Sequence, residues 1–411
     1  MTKCYFYNKI GLLGLYHMAD ILGIKLTDLT PTDIIKRLDF FLMENKNHFI
    51  TTPNPEIILT AGLDEEYFFI LNEADLSIAD GFGLVLAGYL SGQKISRLTG
   101  ADLTKILLQK ANDQNLKVLV INLAGGLSTK DDISSALKQK WTSLNFKVID
   151  TTKKERLTIE ENKQITDFAP QIIFVGLGAP FQEKIIYHEL ANWPSSRINI
   201  GIGGSFDFIT GKIKRAPKFI RLVGLEWLWR VAIQPQNRLK RFKRIWQATA
   251  VFMSKIIKNY FINTFLYRHN VACLLYKKEN GQYKFLIVQR TDDPSHWQLP
   301  QGGTEGQPLI KAGRRELSEE IGTSNFTDIK TFPHVYKYHF KSLKPAYRGY
   351  KGQEQGLFIA QYNGTDEEIK INYWDHTAWQ WVEQEKIVSV VHPNRQEGVK
   401  KFLEKFEKIS K

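Results

Sequence analysis

Along the first half of the chain, short continuous apolar runs alternate with longer segments of helical period. The runs are 49–52, 76–79, 117–123, 171–175 and 197–202, and each ends at Gly, Asp or a Pro-Asn pair. A strand buried on both faces has no polar side, so it reads as an unbroken apolar run and not as an alternation. Runs of this kind separated by helices predict a parallel sheet covered on both faces, an α/β fold of Rossmann-like type. Ligands in such sheets bind beyond the carboxyl ends of the strands. The polar residues that follow the runs are therefore the first candidates for chemistry.

The pattern changes near residue 239. Leu239–Tyr267 is helical in period, basic and aromatic, and reads as an amphipathic helix or pair of helices. Lys255 and Lys258 interrupt any apolar span. It serves equally well as an interdomain connector or as a helix lying on a membrane surface. From Asn270 the period shortens again. Val271–Tyr276, Asn280-Gly281 and Phe285–Gln289 predict a β-hairpin, and Gln396–Ile409 predicts a closing helix. The expected organisation is a first domain over 1–246, a helical linker over 247–268 and a second domain over 269–411.

Composition narrows the picture. The chain has 411 residues, 43% of them hydrophobic, enough for two packed cores. Cys4 and Cys273, the two cysteines, stand far apart, which excludes a disulfide framework and a Cys-based zinc site. No cleaved leader and no spanning run are expected, which points to a cytoplasmic location. The net charge of +13 is concentrated: residues 211–246 carry five Lys and six Arg against one acid, Glu226. Trp227, Trp229, Phe242 and Trp246 are interleaved with these charges. A basic and aromatic stretch predicts an anionic partner: phosphate, lipid headgroups or nucleic acid.

Within the second domain, Glu316, Glu319 and Glu320 stand at i, i+3 and i+4 and share one helix face. Three carboxylates there repel one another unless a hard divalent cation neutralises them, and Mg²⁺ prefers oxygen ligands while bridging phosphate oxygens. Gly302-Gly303 upstream allows backbone N–H groups close to a phosphate. The alternative is a solvated acidic face with Glu319 paired to Arg315. The full string Leu299–Gly322, LPQGGTEGQPLIKAGRRELSEEIG, resembles the Nudix box. That resemblance implies an α/β/α domain with a mixed sheet, Mg²⁺ (or Mn²⁺) held by Glu316, Glu319 and Glu320, and Arg315 orienting a glutamate. It also implies hydrolysis of a nucleoside-diphosphate-X pyrophosphate bond by an activated water, with Glu319 and Glu320 catalytic and Gly302 and Gly303 binding substrate. Two positions depart from the family pattern. Gln307 replaces a Glu and lies two residues closer to the Gly pair than usual, and Thr323 replaces an aliphatic residue. The flanks HWQLPQGG, YKGQEQGLFIAQY and AWQWV resemble bacterial RNA 5′-pyrophosphohydrolases and diadenosine polyphosphate hydrolases. In that group an acid four residues before the first Trp of W-x-W assists the metal, a position held here by Asp375.

The first domain carries Thr52-Pro53-Asn54, Ala79-Asp80-Gly81, Arg97–Asp102, Gly176–Glu183 (GLGAPFQE), Gly203–Phe208 (GGSFDF), Arg215-Ala216-Pro217 and Gly224–Arg230 (GLEWLWR). An Asp at a strand end beside Gly suits a general base for a sugar hydroxyl, and Gly and Pro at a helix start suit an anion. In this order the strings resemble the WecG/TagA/CpsF glycosyltransferase family over about residues 10–246. The resemblance implies inverting transfer of an N-acetylhexosamine, typically N-acetylmannosamine, from a UDP-sugar to a polyprenyl-diphosphate-linked sugar, with no metal. Asp80 would be the base, and Thr52, Asn54, Arg97 and Gln182 would contact donor or acceptor. Arg230, Arg238 and Arg241 would lie in a basic appendage that engages diphosphate at the inner membrane face. Members of this family often self-associate. Phe181 stands where the family usually has a basic residue.

The leading expectation is thus a two-enzyme fusion, peripheral at the membrane, with a UDP-sugar, a lipid-linked acceptor and a nucleotide pyrophosphate as partners. Two others compete with it. One is an RNA- or dinucleoside-polyphosphate-processing enzyme whose basic segment binds nucleic acid beside a non-catalytic first domain. The other is a fusion in which one half, such as the Nudix half with its Gln307, is a binding module only.

Overall fold

A computed structural model describes residues 18–217, 219–220, 226, 228–229, 238–340 and 349–410. The chain divides into two compact units, 1–258 and 259–411.

The first unit opens with a hairpin, β1 (Met18–Ile21) and β2 (Ile24–Thr27). Then follow α1 (Pro31–Met43), β3 (His48–Thr51), α2 (Pro55–Ala61), α3 (Glu65–Asn72), β4 (Leu76–Ser77), α4 (Phe82–Leu90), α5 (Gly100–Asp113), β5 (Lys117–Leu123), α6 (Lys130–Lys140) and β6 (Asn145–Thr151). The unit continues through α7 (Ile159–Phe168), β7 (Ile172–Gly176), α8 (Phe181–Glu189), β8 (Ile198–Gly201), α9 (Ser205–Ile209) and α10 (Arg238–Ile257). Six strands form one sheet in the order β4-β3-β8-β7-β5-β6, and every pairing is parallel.

The continuous apolar runs have the expected cause. Val118 and Val120 of β5 point into one core with Leu38 of α1 and Leu107 of α5. Leu119 and Ile121 point into another with Ile70 of α3, Ile165 of α7 and Ile185 of α8. Burial on both faces leaves no room for alternation. Two features escape the apolar-run criterion. β6 is an edge strand whose Asn145 and Asp150 are exposed, so it mixes polar and apolar residues. The β1–β2 hairpin lies outside the main sheet. Helix starts follow local chemistry: Thr30, Asn54, Asp64, Thr99, Thr129 and Thr158 each cap a helix by accepting a backbone N–H.

The second unit contains β9 (Tyr267–Glu279), β10 (Gln282–Arg290), β11 (Trp297–Gln298), β12 (Gln301–Gly303), α11 (Leu309–Ile321), β13 (Phe326–His339), β14 (Gly352–Tyr362), β15 (His376–Glu383), α12 (Ile387–Val390) and α13 (Pro393–Ser410). Asn280 and Gly281 take φ of 50° and 82°, and Gln282 pairs directly with Glu279. The two-residue hairpin turn needs positive φ at both central positions. The seven-stranded sheet is mixed: β9 and β14 are parallel and the remaining pairs antiparallel. α11 packs on one face through Ala312, Leu317 and Ile321, and α13 on the other through Val399, Phe402 and Phe406. This is the α/β/α layering expected of the second domain.

Candidate active sites

In the first unit, Thr52, Asn54, Asp80 and Arg97 converge beyond the carboxyl ends of β3 and β4. The Asp80 N–H donates to the Pro53 carbonyl at 2.7 Å, which ties the two loops together. Ala79 pairs with Arg97 in an isolated parallel bridge. The Gly100 N–H, at the start of α5, donates to Asp80 Oδ2 at 3.3 Å. The first N–H groups of a helix have no partner within it, and here one of them meets the Asp80 carboxyl. The Thr52 hydroxyl donates to the Gly201 carbonyl at 3.1 Å, joining β3 to β8. Asn54 Oδ1 accepts from the Ile57 N–H at 2.9 Å, so its oxygen caps α2. Arg97 lies 3.9 Å from Glu226, which also faces Arg215 at 3.5 Å, and Arg215 reaches Asp102 at 2.5 Å. Arg215 donates further to the Thr99 hydroxyl at 2.9 Å. No local pattern in the sequence marks this network of Arg97, Glu226, Arg215 and Asp102. Its one early trace is that Glu226 is the sole acid in a basic stretch.

Gln182 takes a different part from the ligand contact expected of it. It is buried, and its Oε1 accepts from the N–H groups of Gly178 at 3.1 Å and Gly203 at 2.9 Å. Its Nε2 donates to Glu183 at 2.6 Å. The side chain therefore holds the loops after β7 and β8 at a fixed spacing. A Cβ on Gly201 would lie 2.7 Å from Gln182 Nε2, which accounts for glycine at that strand end. Arg230 lies outside the described residues. Arg238 and Arg241 fall in the first turns of α10, and their side chains lie outside the described atoms.

Beside these residues is a crevice of about 200 Å³ lined by Asn122, Gly126, Ser128, Gly178, Gly204 and Asp207. It sits between β5 and β7. The chain leaves β5 toward β6 on one side and leaves β7 toward β8 on the other. That reversal opens a gap at the carboxyl ends of the strands where α/β sheets take their ligands. The Ser128 hydroxyl donates to Asp207 at 2.7 Å across its floor.

Glu183 behind this crevice is fully buried, accepting from the Tyr67 hydroxyl at 3.0 Å and from Gln182. Burial pushes its carboxyl up to about 7 against the two hydrogen bonds. The folded chain then holds a proton that the unfolded chain releases near the ordinary glutamate value. Stability should fall as pH rises from about 4.5 to about 7 and flatten above. Glu183→Gln keeps the shape and removes the titration. Its melting temperature is expected to fall less steeply than that of the wild type in scans from pH 5 to 8, the similarly raised Glu316 keeping a part of the slope, and an unchanged slope would reject the assignment.

In the second unit the glutamates split by exposure. Glu316 and Glu320 are buried, whereas Glu319 is exposed. Arg315 reaches Glu316 at 2.7 Å and Glu319 at 3.1 Å, and donates to the Gly303 carbonyl at 2.8 Å. It thereby orients two of the glutamates from one guanidinium. Burial pushes the Glu316 carboxyl up to about 7, opposed mainly by Arg315. The Gln301 N–H donates to Glu320 Oε1 at 3.2 Å. His376, buried and held down to about 4 by that burial, lies 3.9 Å from Glu320 Oε2. His376 follows directly on Asp375 and no motif in the sequence marks it. Asp375 itself is exposed at the start of β15, and its carbonyl accepts from the Thr291 N–H at 2.9 Å.

The shortened loop is a tight turn. Glu305 and Gly306 take φ of 50° and 77°, and the Gln307 N–H donates to Thr304 at 2.8 Å. Gln307 points to solvent, and Glu305 stands 3.9 Å from Arg315. Gly302 lies directly under Glu316, so that a Cβ there would overlap the carboxylate. An oxygen-only donor set, two of its carboxylates buried and one reluctant to ionise alone, fits a hard divalent cation. Gly302→Ala should displace Glu316 and abolish metal-dependent hydrolysis while leaving sugar transfer intact. Parallel assays of both activities on the one purified variant check this, and full hydrolysis would contradict the placement of Glu316.

Two α/β units, one with a crevice at the strand ends of a parallel sheet and one with a glutamate-bearing helix on a mixed sheet, define a fused transferase and hydrolase. The chain belongs to the WecG/TagA/CpsF glycosyl transferase family, whose model matches residues 19–264, and residues 266–406 match the NUDIX domain model. It is similar to N-acetylglucosaminyldiphosphoundecaprenol N-acetyl-beta-D-mannosaminyltransferases of Staphylococcus aureus strains MRSA252 and MW2. Each is 32% identical over 247 residues, covering 58% of this chain and 92% of the relative. Solved structures similar to it include a Caenorhabditis elegans Ap4A hydrolase binary complex, 22% identical, covering 34% of this chain and 98% of that one with TM-score 0.28. Another is the Escherichia coli dihydroneopterin triphosphate pyrophosphohydrolase, 19% identical, covering 33% and 97% with TM-score 0.27. The chain is an enzyme by both of its domains.

Proposed function

We propose that the first unit transfers N-acetylmannosamine from a UDP-sugar to a sugar carried on a polyprenyl diphosphate, inverting the anomeric carbon. The observation that carries this reading is the meeting of Thr52, Asp80 and Arg97 at the carboxyl ends of β3 and β4, which Thr52 joins to β8, one strand from the crevice between β5 and β7. The nucleoside diphosphate fits the crevice, whose glycine loops let backbone N–H groups approach phosphate. The acceptor hydroxyl oxygen attacks the anomeric carbon from the face opposite UDP. The bond from that carbon to the UDP oxygen breaks, and the hydroxyl proton passes to the Asp80 carboxylate. Arg97, steered by Glu226, is placed to meet phosphate charge. Arg230, Arg238 and Arg241 engage the acceptor diphosphate, and the enzyme works at the cytoplasmic face of the membrane and self-associates.

The second unit hydrolyses a nucleoside diphosphate linked to another group. Glu316, Glu319 and Glu320, with Asp375 alongside, would hold Mg²⁺ or Mn²⁺, and Gly302-Gly303 would receive the phosphates. When bound, the cation supplies charge neutralisation at the pyrophosphate. Arg315 positions Glu316 and Glu319, and Glu319 and Glu320 manage the proton of the attacking water. Both units handle pyrophosphates, which favours removal of nucleotide by-products or trimming of a nucleotide-sugar pool as the reason for the fusion.

The test is a substrate panel on the full chain and on its Asp80→Asn and Glu320→Gln variants: UDP-sugars, dinucleoside polyphosphates and 5′-triphosphate RNA. UDP-sugar hydrolysis that survives Asp80→Asn and fails in Glu320→Gln supports the pool-trimming reading. Turnover of the RNA alone would replace it.

A further inference from the structure

α4 begins two residues after Asp80 and is apolar along its length, FGLVLAGYL. Leu84, Ala87 and Gly88 face the protein. Phe82, Leu86 and Tyr89, at i, i+4 and i+7, face outward at 45%, 38% and 81% exposure. An exposed apolar stripe on a helix marks a surface that something covers. A Cβ on Gly83 would lie 2.8 Å from Pro55, so α4 starts against α2.

α10 packs on both α2 and α4. Its sequence, RLKRFKRIWQATAVFMSKII, contains no acidic residue. Phe252 and Ile256 are fully buried, while Trp246, Val251 and Ile257 are exposed. Lys255 Nζ lies 3.9 Å from where a Gly62 Cβ would be, next to Leu63, which is 87% exposed. Apolar side chains thus stand in the open beside a helix carrying only positive charge. A second copy of this chain, also strongly basic there, would repel it. An anionic bilayer matches both properties, because apolar side chains enter the interface while Lys and Arg meet headgroup phosphates.

We infer that the outward face of α4, with Leu63 and α10 beside it, seats the enzyme on an anionic lipid bilayer. This rests on the proposed lipid-linked acceptor and adds the surface that brings Asp80 to the membrane, since the apolar stripe begins at Phe82, two residues after it.

The test is sedimentation of the full chain with vesicles of equal parts phosphatidylglycerol and phosphatidylcholine, and with phosphatidylcholine alone. The wild type should bind the first strongly and release in salt. The triple change Phe82→Ser, Leu86→Ser and Tyr89→Ser should weaken binding at least about tenfold, given the apolar area removed. Ile159→Ser, at a still more exposed apolar site on α7, should bind as wild type. Tyr89→Cys in a Cys4→Ser background, labelled with an environment-sensitive dye, should shift to the blue on anionic vesicles, which guards against misfolding of the triple variant. No dye shift, or unchanged sedimentation of the triple variant, would overturn the inference. So would loss of self-association by light scattering with vesicle binding intact, which would give the face to a second copy. Sugar transfer to a short-tailed, water-soluble acceptor is measured separately. Transfer with α4-independent vesicle binding removes this surface only. Vesicle binding that follows α4 in a chain that transfers nothing removes the proposed reaction only.

Discussion

Asp80→Asn is expected to lower sugar transfer by about 10²- to 10⁴-fold, the range for loss of a positioned general base. The substitution keeps the size of the side chain and an oxygen that can accept from the Gly100 N–H. The loop geometry set by the Asp80 N–H on Pro53 is also untouched, because that bond is made by the backbone. Donor binding should therefore persist while turnover fails. The measurement is UDP release with a saturating acceptor, alongside a calorimetric titration of the donor. Near-normal turnover would move the base elsewhere. Hydrolysis by the second unit serves as the internal control and should not change.

Glu320→Gln is expected to reduce cation-dependent hydrolysis by at least about a hundredfold, since even outer-shell partners of metal ligands are worth 10- to 100-fold. The amide oxygen can still accept from the Gln301 N–H, so the loop before α11 keeps its support. What disappears is one buried negative charge next to the neutral His376. A chelator should produce a comparable loss in the wild type and little further loss in the variant. Equal activity of variant and wild type would remove Glu320 from the site. A variant restored by raised Mg²⁺ would instead mark weakened cation affinity, which the same assay reads as a shift in the cation concentration for half activity.

The parts of this structure legible in the sequence are those with a local cause. Lys117–Leu123 is a strand with the ends its apolar run gives it, because both faces of β5 are buried. Asn280-Gly281 dictates its turn through two positive φ angles. Glu316, Glu319 and Glu320 share a helix because of their spacing alone. The illegible parts depend on distant neighbours. Gln182 looks like a polar residue free to meet a ligand until β7 and β8 are laid side by side and claim its oxygen. His376 becomes part of the glutamate site only when β15 is placed on β10 and faces α11. The bond between Arg215 and Asp102 spans 113 positions, beyond the reach of any local rule. β6 hides for another reason: an edge strand has one neighbour and a wet side, so its pattern is diluted.

The strand order of the first unit also bears on how the chain is made. β3 lies inside the sheet, yet its partner on one side is the two-residue β4 and on the other is β8, reached about 150 residues later. At a synthesis rate of about 5–20 residues per second, β3 waits on the order of ten seconds or more beside the ribosome with its long edge unpaired. Its four residues are all buried in the finished sheet and offer no charge to discourage other strands. The nascent chain thus passes through an interval when a chaperone has more to protect than at any later stage, and slowing translation between residues 52 and 197 should lower the soluble yield.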